Sequence, residues 1–194
     1  EGSDADLNAT VNTQPVMLAA GVAVYRAWQS LNAPAPMMMA GHSLGEYTAL
    51  VASGALKFAD ALPLVRYRAE CMQLAVPEGV GGIAAILGLE DEVVREVCQE
   101  VAQNEVLEAV NYNSPGQIVI AGNRAAVERG MELAKARGAK RALMLPMSVP
   151  SHCSLLKGAA EKLRTYLENI VMQAPAVPVL HNADVKSYAD AASI

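Results

Sequence analysis

The sequence predicts an α/β protein with a parallel-sheet core and a small inserted subdomain. Three observations carry this reading. Hydrophobic residues make up 53% of the 194, yet aromatics only 4%, so Ala, Val, Leu and Met carry the apolar load. That suits close helix–sheet contacts better than a β-sandwich. A short apolar run, Met37 to Ala40, passes through a glycine-flanked turn into a helix-like run, Leu44 to Ala55. Between Gly79 and Leu145 the order reads β-α-β-β-α-β.

The totals exclude several classes. A net charge of −5 argues against a general nucleic-acid binder. Cys71, Cys98 and Cys153 are far apart and form no C-x-x-C, so neither a disulfide framework nor a zinc site is indicated. A reducing cytoplasm is the expected compartment. No apolar run is long enough to cross a membrane, and residues 1–14 lack a signal-peptide pattern. The chain does not begin with Met, so it reads as a fragment.

Taken in order, residues 1–12 read as a loop. Thr13 is a candidate cap, with Pro15 in the first turn of a helix. Met17, Gly21, Val24, Trp28 and Leu31 recur there at helical spacing, and Ala33-Pro34-Ala35-Pro36 ends it. After the strand Met37–Ala40 and the helix from Leu44, a further helix runs from about Asp60 to Val76, closed by Pro77-Glu78-Gly79. Gly82 to Leu87 reads as a strand, Asp91 to Val101 as a helix and Val106 to Val110 as a strand. Asn113-Ser114-Pro115-Gly116 is a turn, and Gln117 to Ala121 returns. Asn123 is a candidate cap for a helix to Ala136 that Gly138 stops, and Arg141 to Leu145 is a strand. This βαββαβ order predicts a ferredoxin-like subdomain at 79–146, inserted in a core made of 1–78 and 147–194. Ser148-Val149-Pro150-Ser151-His152 is a Pro-stiffened loop leading to a helix, Leu155 to Ile170. Val177 to Leu180 is a short strand.

Gly41-His42-Ser43-Leu44-Gly45 is a G-x-S-x-G at a strand–helix junction, the pattern of a nucleophile elbow. Such a turn pushes the Ser43 hydroxyl out of the sheet's end. The helix that begins there aims unpaired N–H groups at the same point, so the Leu44 amide is a candidate oxyanion donor.

Arg68 falls on the apolar face of its helix, with Ala61, Leu64, Val65, Met72 and Ala75. A guanidinium cannot shed its charge, and no carboxylate of that helix shares the face. Its partner is either a distant Asp or Glu, or a bound substrate carboxylate matched to the arginine fork.

A neutral serine needs a general base. His42 is turned elsewhere by the elbow and reads as a packing or hydrogen-bonding residue. His152 stands where the insert rejoins the core, in position to overhang the nucleophile, and is preferred to His181. No third, acidic group is evident, because Asp60 and Asp91 both stand at helix starts.

With these residues placed, and with Glu46-Tyr47, Asn111-Tyr112-Asn113-Ser114-Pro115-Gly116-Gln117 and His181-Asn182-Ala183-Asp184-Val185 beside them, the chain resembles the malonyl-CoA:acyl carrier protein transacylase family of fatty-acid synthesis. The resemblance implies a hydrolase-like core carrying a ferredoxin-like insert. It implies that Ser43 carries the malonyl group, that His152 is base and then acid, and that Arg68 binds the free malonyl carboxylate. It further implies that the Leu44 N–H is half of the oxyanion hole and that Asn113 lines the pocket. Malonyl-CoA and the phosphopantetheine thiol of acyl carrier protein are the implied substrates, in a ping-pong reaction in the cytoplasm. No cofactor, metal, nucleic acid or membrane is implied. The family's N-terminal strand with its Gly-Gln-Gly-Ser-type loop, and its C-terminal segment, have no counterpart in these residues. The chain alone is therefore expected to be poorly active.

Three other readings are open. A serine hydrolase shares Ser43 and His152 but uses water as acceptor. An acyltransferase module of a polyketide synthase shares the elbow. A carrier-protein docking module would use the basic run Lys135, Arg137, Lys140 and Arg141.

Overall fold

The computed structural model describes residues 3, 6–7, 9–77, 79–147 and 149–194. Glu78 and Ser148, both within segments read above, lie outside the described residues. The elements are α1 (Thr10–Ser30), β1 (Met39–Ala40), α2 (Leu44–Ala52), α3 (Phe58–Ala75), β2 (Gly81–Leu87), α4 (Asp91–Ala102) and β3 (Leu107–Ser114). They continue with β4 (Gln117–Asn123), α5 (Arg124–Ala136), β5 (Arg141–Met144), α6 (Lys157–Leu167) and β6 (Val179–Leu180). The fold is α/β, and the chain divides into two compact units. One holds most of 1–69 with 163–194, the other 70–162 with 8–10. Among the described residues no helix is long and apolar enough to cross a membrane.

In the first unit β1 and β6 pair in parallel, Met39 opposite Val179 and Ala40 opposite Leu180. Around them pack Leu18 and Val22 of α1, Leu44, Ala49 and Leu50 of α2, and Ala61, Leu64 and Val65 of α3. Leu18, Leu64, Val65 and Val179 are fully buried. Gly21 lets α1 approach α2 closely, since a Cβ there would lie 2.7 Å from Cγ2 of Thr48.

Helix α1 differs from its sequence reading. It starts at Thr10, so Thr13 is not its cap and instead donates its hydroxyl to the Leu7 carbonyl. Its buried residues are Gln14, Leu18 and Val22, whereas Met17, Val24, Trp28 and Leu31 are exposed. The helix carries two apolar stripes, and the shorter one faces the core.

The second unit is a four-stranded antiparallel sheet in the order β3-β4-β2-β5, with α4 and α5 packed on it. This is the ferredoxin-like topology that βαββαβ connectivity produces. Strand β4 is apolar at successive positions because both faces are covered. Ile118 and Ile120 meet Val94, Val97, Val127 and Ala134 of the helices. Val119 and Ala121 meet Cys153 on the other side.

Two details correct the local reading. The β3–β4 turn is only Pro115-Gly116, with Gly116 at φ 72°, so Asn113 stands on β3 beside a register break. Asn123 stands at the N-cap of α5 but makes no capping bond. Its Oδ1 accepts from the Val106 N–H at 2.8 Å and so fastens the start of β3. Arg137 of the basic run pairs with Glu96 and Glu100 of α4, and Lys135 with Glu132.

Candidate active site

The end of β1 turns sharply into α2. Ser43 has φ 52° and ψ −107°, a backbone conformation that costs roughly 1–3 kcal/mol for a non-glycine residue. The two glycines of the motif are not equivalent. A Cβ on Gly41 would lie 1.9 Å from the Gly45 carbonyl carbon and 2.4 Å from the Glu46 nitrogen, so only glycine fits. A Cβ on Gly45 would meet nothing within 4 Å. Leu44 is buried and opens α2, whose first N–H groups have no partner within the helix.

Arg68 of α3 reaches this elbow. Its Nη2 donates to Oγ of Ser43 at 3.0 Å, and its Nη1 donates to Oε1 of Gln14 at 2.6 Å. The guanidinium carbon lies 5.6 Å from the centre of the Tyr47 ring. Among the described residues no carboxylate forms an ion pair with it. Burial pulls the Arg68 pKa below its ordinary value, and Tyr47 and then Glu46 act against that pull. Burial pushes the Tyr47 hydroxyl up. The cation is thus held by neutral groups, with its charge unneutralised beside the serine. Gln14 explains why a polar residue is buried in α1, and sequence reasoning missed it. No signal within its own helix marks it, because its partner is 54 residues away.

Glu46, His181 and Asn182 also converge on the elbow. The Asn182 Oδ1 accepts from the Ser43 N–H at 3.1 Å, and its Nδ2 donates to the Gly41 carbonyl at 2.5 Å. Glu46 accepts from the Asn182 N–H at 2.9 Å and from its Nδ2, and lies 2.8 Å from Nδ1 of His181. His181 is buried, and its Nε2 has no hydrogen-bond partner among the described residues. It therefore makes no bond to the Ser43 hydroxyl. His42, next to Ser43 in the turn, is exposed.

His152 and Asn113 belong to the second unit. His152 is exposed at φ 69°, between the buried Ser151 and Cys153. The loop around it is pinned from both sides. The Cys153 thiol donates to the Pro150 carbonyl at 3.2 Å, and the Ser154 N–H to Oε2 of Glu108 at 2.9 Å. Asn113 is exposed. Among the described residues no group of three His, Cys, Asp or Glu could hold a metal ion.

A serine thus stands on a strained strand–helix turn, with its hydroxyl bonded by an arginine that has no carboxylate partner among the described residues. Residues 2–191 match the model of the acyl transferase domain family, and the chain belongs to that family. Over its whole length it is 54% identical to the malonyl CoA-acyl carrier protein transacylase of Salmonella typhimurium, of which it spans 63%. All of it superposes on an acyl-carrier-protein S-malonyltransferase from Burkholderia pseudomallei with a TM-score of 0.96 at 57% identity, covering 63% of that chain. It is also similar, at a TM-score of 0.97 and 51% identity, to a malonyl-transacylase solved in complex with a type II PKS acyl-carrier protein, of which it covers 62%.

Proposed function

We propose that the protein transfers a malonyl group from malonyl-CoA to the phosphopantetheine thiol of an acyl carrier protein, through a malonyl ester on Ser43. The observation that carries this is the 3.0 Å hydrogen bond from Arg68 to Ser43, made by a cation without a carboxylate partner among the described residues. A free malonyl carboxylate is the ligand that cation lacks, and seating it beside Oγ brings the thioester carbon to the nucleophile.

The chemistry balances as two acyl transfers. Ser43 Oγ attacks the thioester carbonyl while His152 takes its proton, and the Leu44 N–H stabilises the oxyanion. The intermediate collapses, the C–S bond breaks, and coenzyme A leaves as the thiol with the proton from His152. The carrier thiol then attacks the Ser43 ester, losing its proton to His152; the ester C–O bond breaks, malonyl leaves on the carrier sulfur, and His152 returns the proton to Ser43 Oγ. Asn113 is a pocket residue in this reading, and 79–146 is an insert in a core of 1–78 and 147–194. Acyl-CoA and carrier protein are substrates, the reaction needs no cofactor, and the cytoplasm is the compartment where both are supplied. The chain spans under two thirds of the named relatives, so the reading concerns the whole enzyme.

Intact-mass analysis after mixing with malonyl-CoA tests the proposal. It uses this chain and a version extended with the terminal segments of the Salmonella relative. A malonyl adduct absent from Ser43→Ala, and discharged by holo carrier protein but not by water, is the expected result. Discharge by water at the same rate would favour the hydrolase reading. No adduct on either protein would sink the proposal.

A further inference from the structure

We propose that Asn182 is a positioning residue of the nucleophile elbow, its side-chain amide holding Ser43 in its strained, reactive conformation. The proposal rests on the reading of Ser43 as nucleophile.

The register of the parallel pair brings the two segments together. Ala40 faces Leu180, so the next residues along each strand, Gly41-His42-Ser43 and His181-Asn182, leave the sheet side by side. A peptide turned to φ 52° takes its N–H out of the strand ladder, where it needs an acceptor of its own. Asn182 Oδ1 supplies it, at 3.1 Å. Two residues back, the Gly41 carbonyl needs a donor, and Asn182 Nδ2 supplies that at 2.5 Å. One planar amide therefore bridges the peptide groups on either side of His42 and fixes the turn between them.

The bonding also fixes which way the amide faces. Its second Nδ2 hydrogen goes to Glu46, and its backbone N–H to the same carboxylate at 2.9 Å. Reversed, its oxygen would face the Gly41 carbonyl and the Glu46 carboxylate, and its NH2 would face the Ser43 N–H. Only an amide offers an acceptor on one side and two donors on the other, so aspartate is no substitute although it has the same shape. Asn182 is exposed, but its anchor is not. Glu46 sits in the first turn of α2, and its other oxygen is 2.8 Å from the buried His181 ring. The elbow, the helix it starts and the strand end beside it are thus joined through one carboxamide. Arg68, which binds substrate in the proposed reaction, meets Ser43 at its hydroxyl, whereas Asn182 holds its backbone N–H.

The test compares wild type, Asn182→Ala and Asn182→Asp in the extended protein, with thermal midpoints measured for each. A fluorophosphonate reports Ser43 reactivity alone, and malonyl-CoA reports acyl transfer. Both variants are expected to phosphonylate about 10- to 100-fold more slowly than wild type at a temperature well below their midpoints. Maximal acylation by malonyl-CoA should fall in parallel, with the half-saturating concentration unchanged because Arg68 is intact. A folded variant that labels within about two-fold of wild type would overturn the proposal, as would a loss confined to half-saturation. Wild type that takes the phosphonate but not malonyl would defeat the transfer reading and leave the Asn182 comparison to be decided by the phosphonate rates. Wild type inert to both would overturn the nucleophile and this proposal together.

Discussion

Arg68 Nη2 sits 3.0 Å from Ser43 Oγ, donating to the hydroxyl that the proposed reaction needs as an acceptor of carbon. The guanidinium donates to neutral oxygens, Gln14 on one arm and Ser43 on the other. A carboxylate entering that fork forms stronger, charge-assisted bonds and draws the arginine off the serine. Substrate would then both fill the specificity site and release the nucleophile. Arg68→Ala is expected to lower the rate of malonyl ester formation on the order of 10²-fold or more, from the loss of about 2–5 kcal/mol for a half-buried charge pair. Acetyl-CoA, which has no carboxylate, should lose far less. Time-resolved mass spectrometry with the two thioesters measures the ratio, and an unchanged malonyl-to-acetyl preference would sink the assignment.

The glycines of the elbow make a second, structural test. Gly41→Ala drives a methyl into the backbone of Gly45 and Glu46, which cannot move without unwinding the start of α2. It should cost about 3 kcal/mol or more. Gly45→Ala adds a methyl in open space at a helical position. It should leave stability unchanged or raise it by up to about 1 kcal/mol, since alanine forms helix better. Urea unfolding of the two variants distinguishes them. Equal losses would mean that the turn is not as tight as the Gly41 geometry requires.

The contrast between these glycines also marks how far the sequence could be read. The G-x-S-x-G pattern announced the turn, because a strand, a glycine pair and a helix start are local signals. The βαββαβ unit was legible for the same reason, and its sheet order follows from connectivity. The phase of α3 placed Arg68 inward correctly, since its apolar residues define only one face. In α1 the spacing showed the helix but not which side of it is buried. Met17, Val24, Trp28 and Leu31 form a longer apolar stripe than Leu18 and Val22, and periodicity alone does not say which stripe meets the core. Gln14, Glu46 and Asn182 were not assigned roles because their partners lie far along the chain: 54 residues for Gln14, 136 and 139 for Asn182. Such bonds leave no periodic trace.

Asn123 shows the same lesson in a form that stability can test. It occupies a cap position, but its carbonyl oxygen serves the Val106 N–H instead, 17 residues back. Asn123→Ala should therefore cost about 1–3 kcal/mol by leaving that amide unpaired in a half-buried place. Asn123→Asp keeps the acceptor and should recover most of the loss. Asn123→Ser, an equally good helix cap but too short to reach Val106, should not. If serine restored stability as well as aspartate, the side chain would be acting as a cap in solution.

Cys98 gives the chain a defined alkaline weakness. Its thiol is packed among Ala84, Ile86, Val94 and Val97, and burial, with a smaller push from Glu108, raises its pKa from 9.0 to about 12. Cys153 is shifted in the same direction, again chiefly by burial. The sign follows from where the proton is held. The folded thiol keeps its proton to higher pH than the unfolded one, so its contribution is complete below about pH 9 and is lost as pH rises towards 12. Within that window each such group steepens the decline by up to about 1.4 kcal/mol per pH unit. Cys98→Ala lacks the ionising group. It should begin less stable at neutral pH, because it leaves a small cavity. Its stability should then fall less steeply than wild type between pH 9 and 11. Urea unfolding across that range reads the slopes directly. Parallel curves would mean that the Cys98 thiol ionises as readily in the folded protein as in the unfolded chain, and would overturn the prediction.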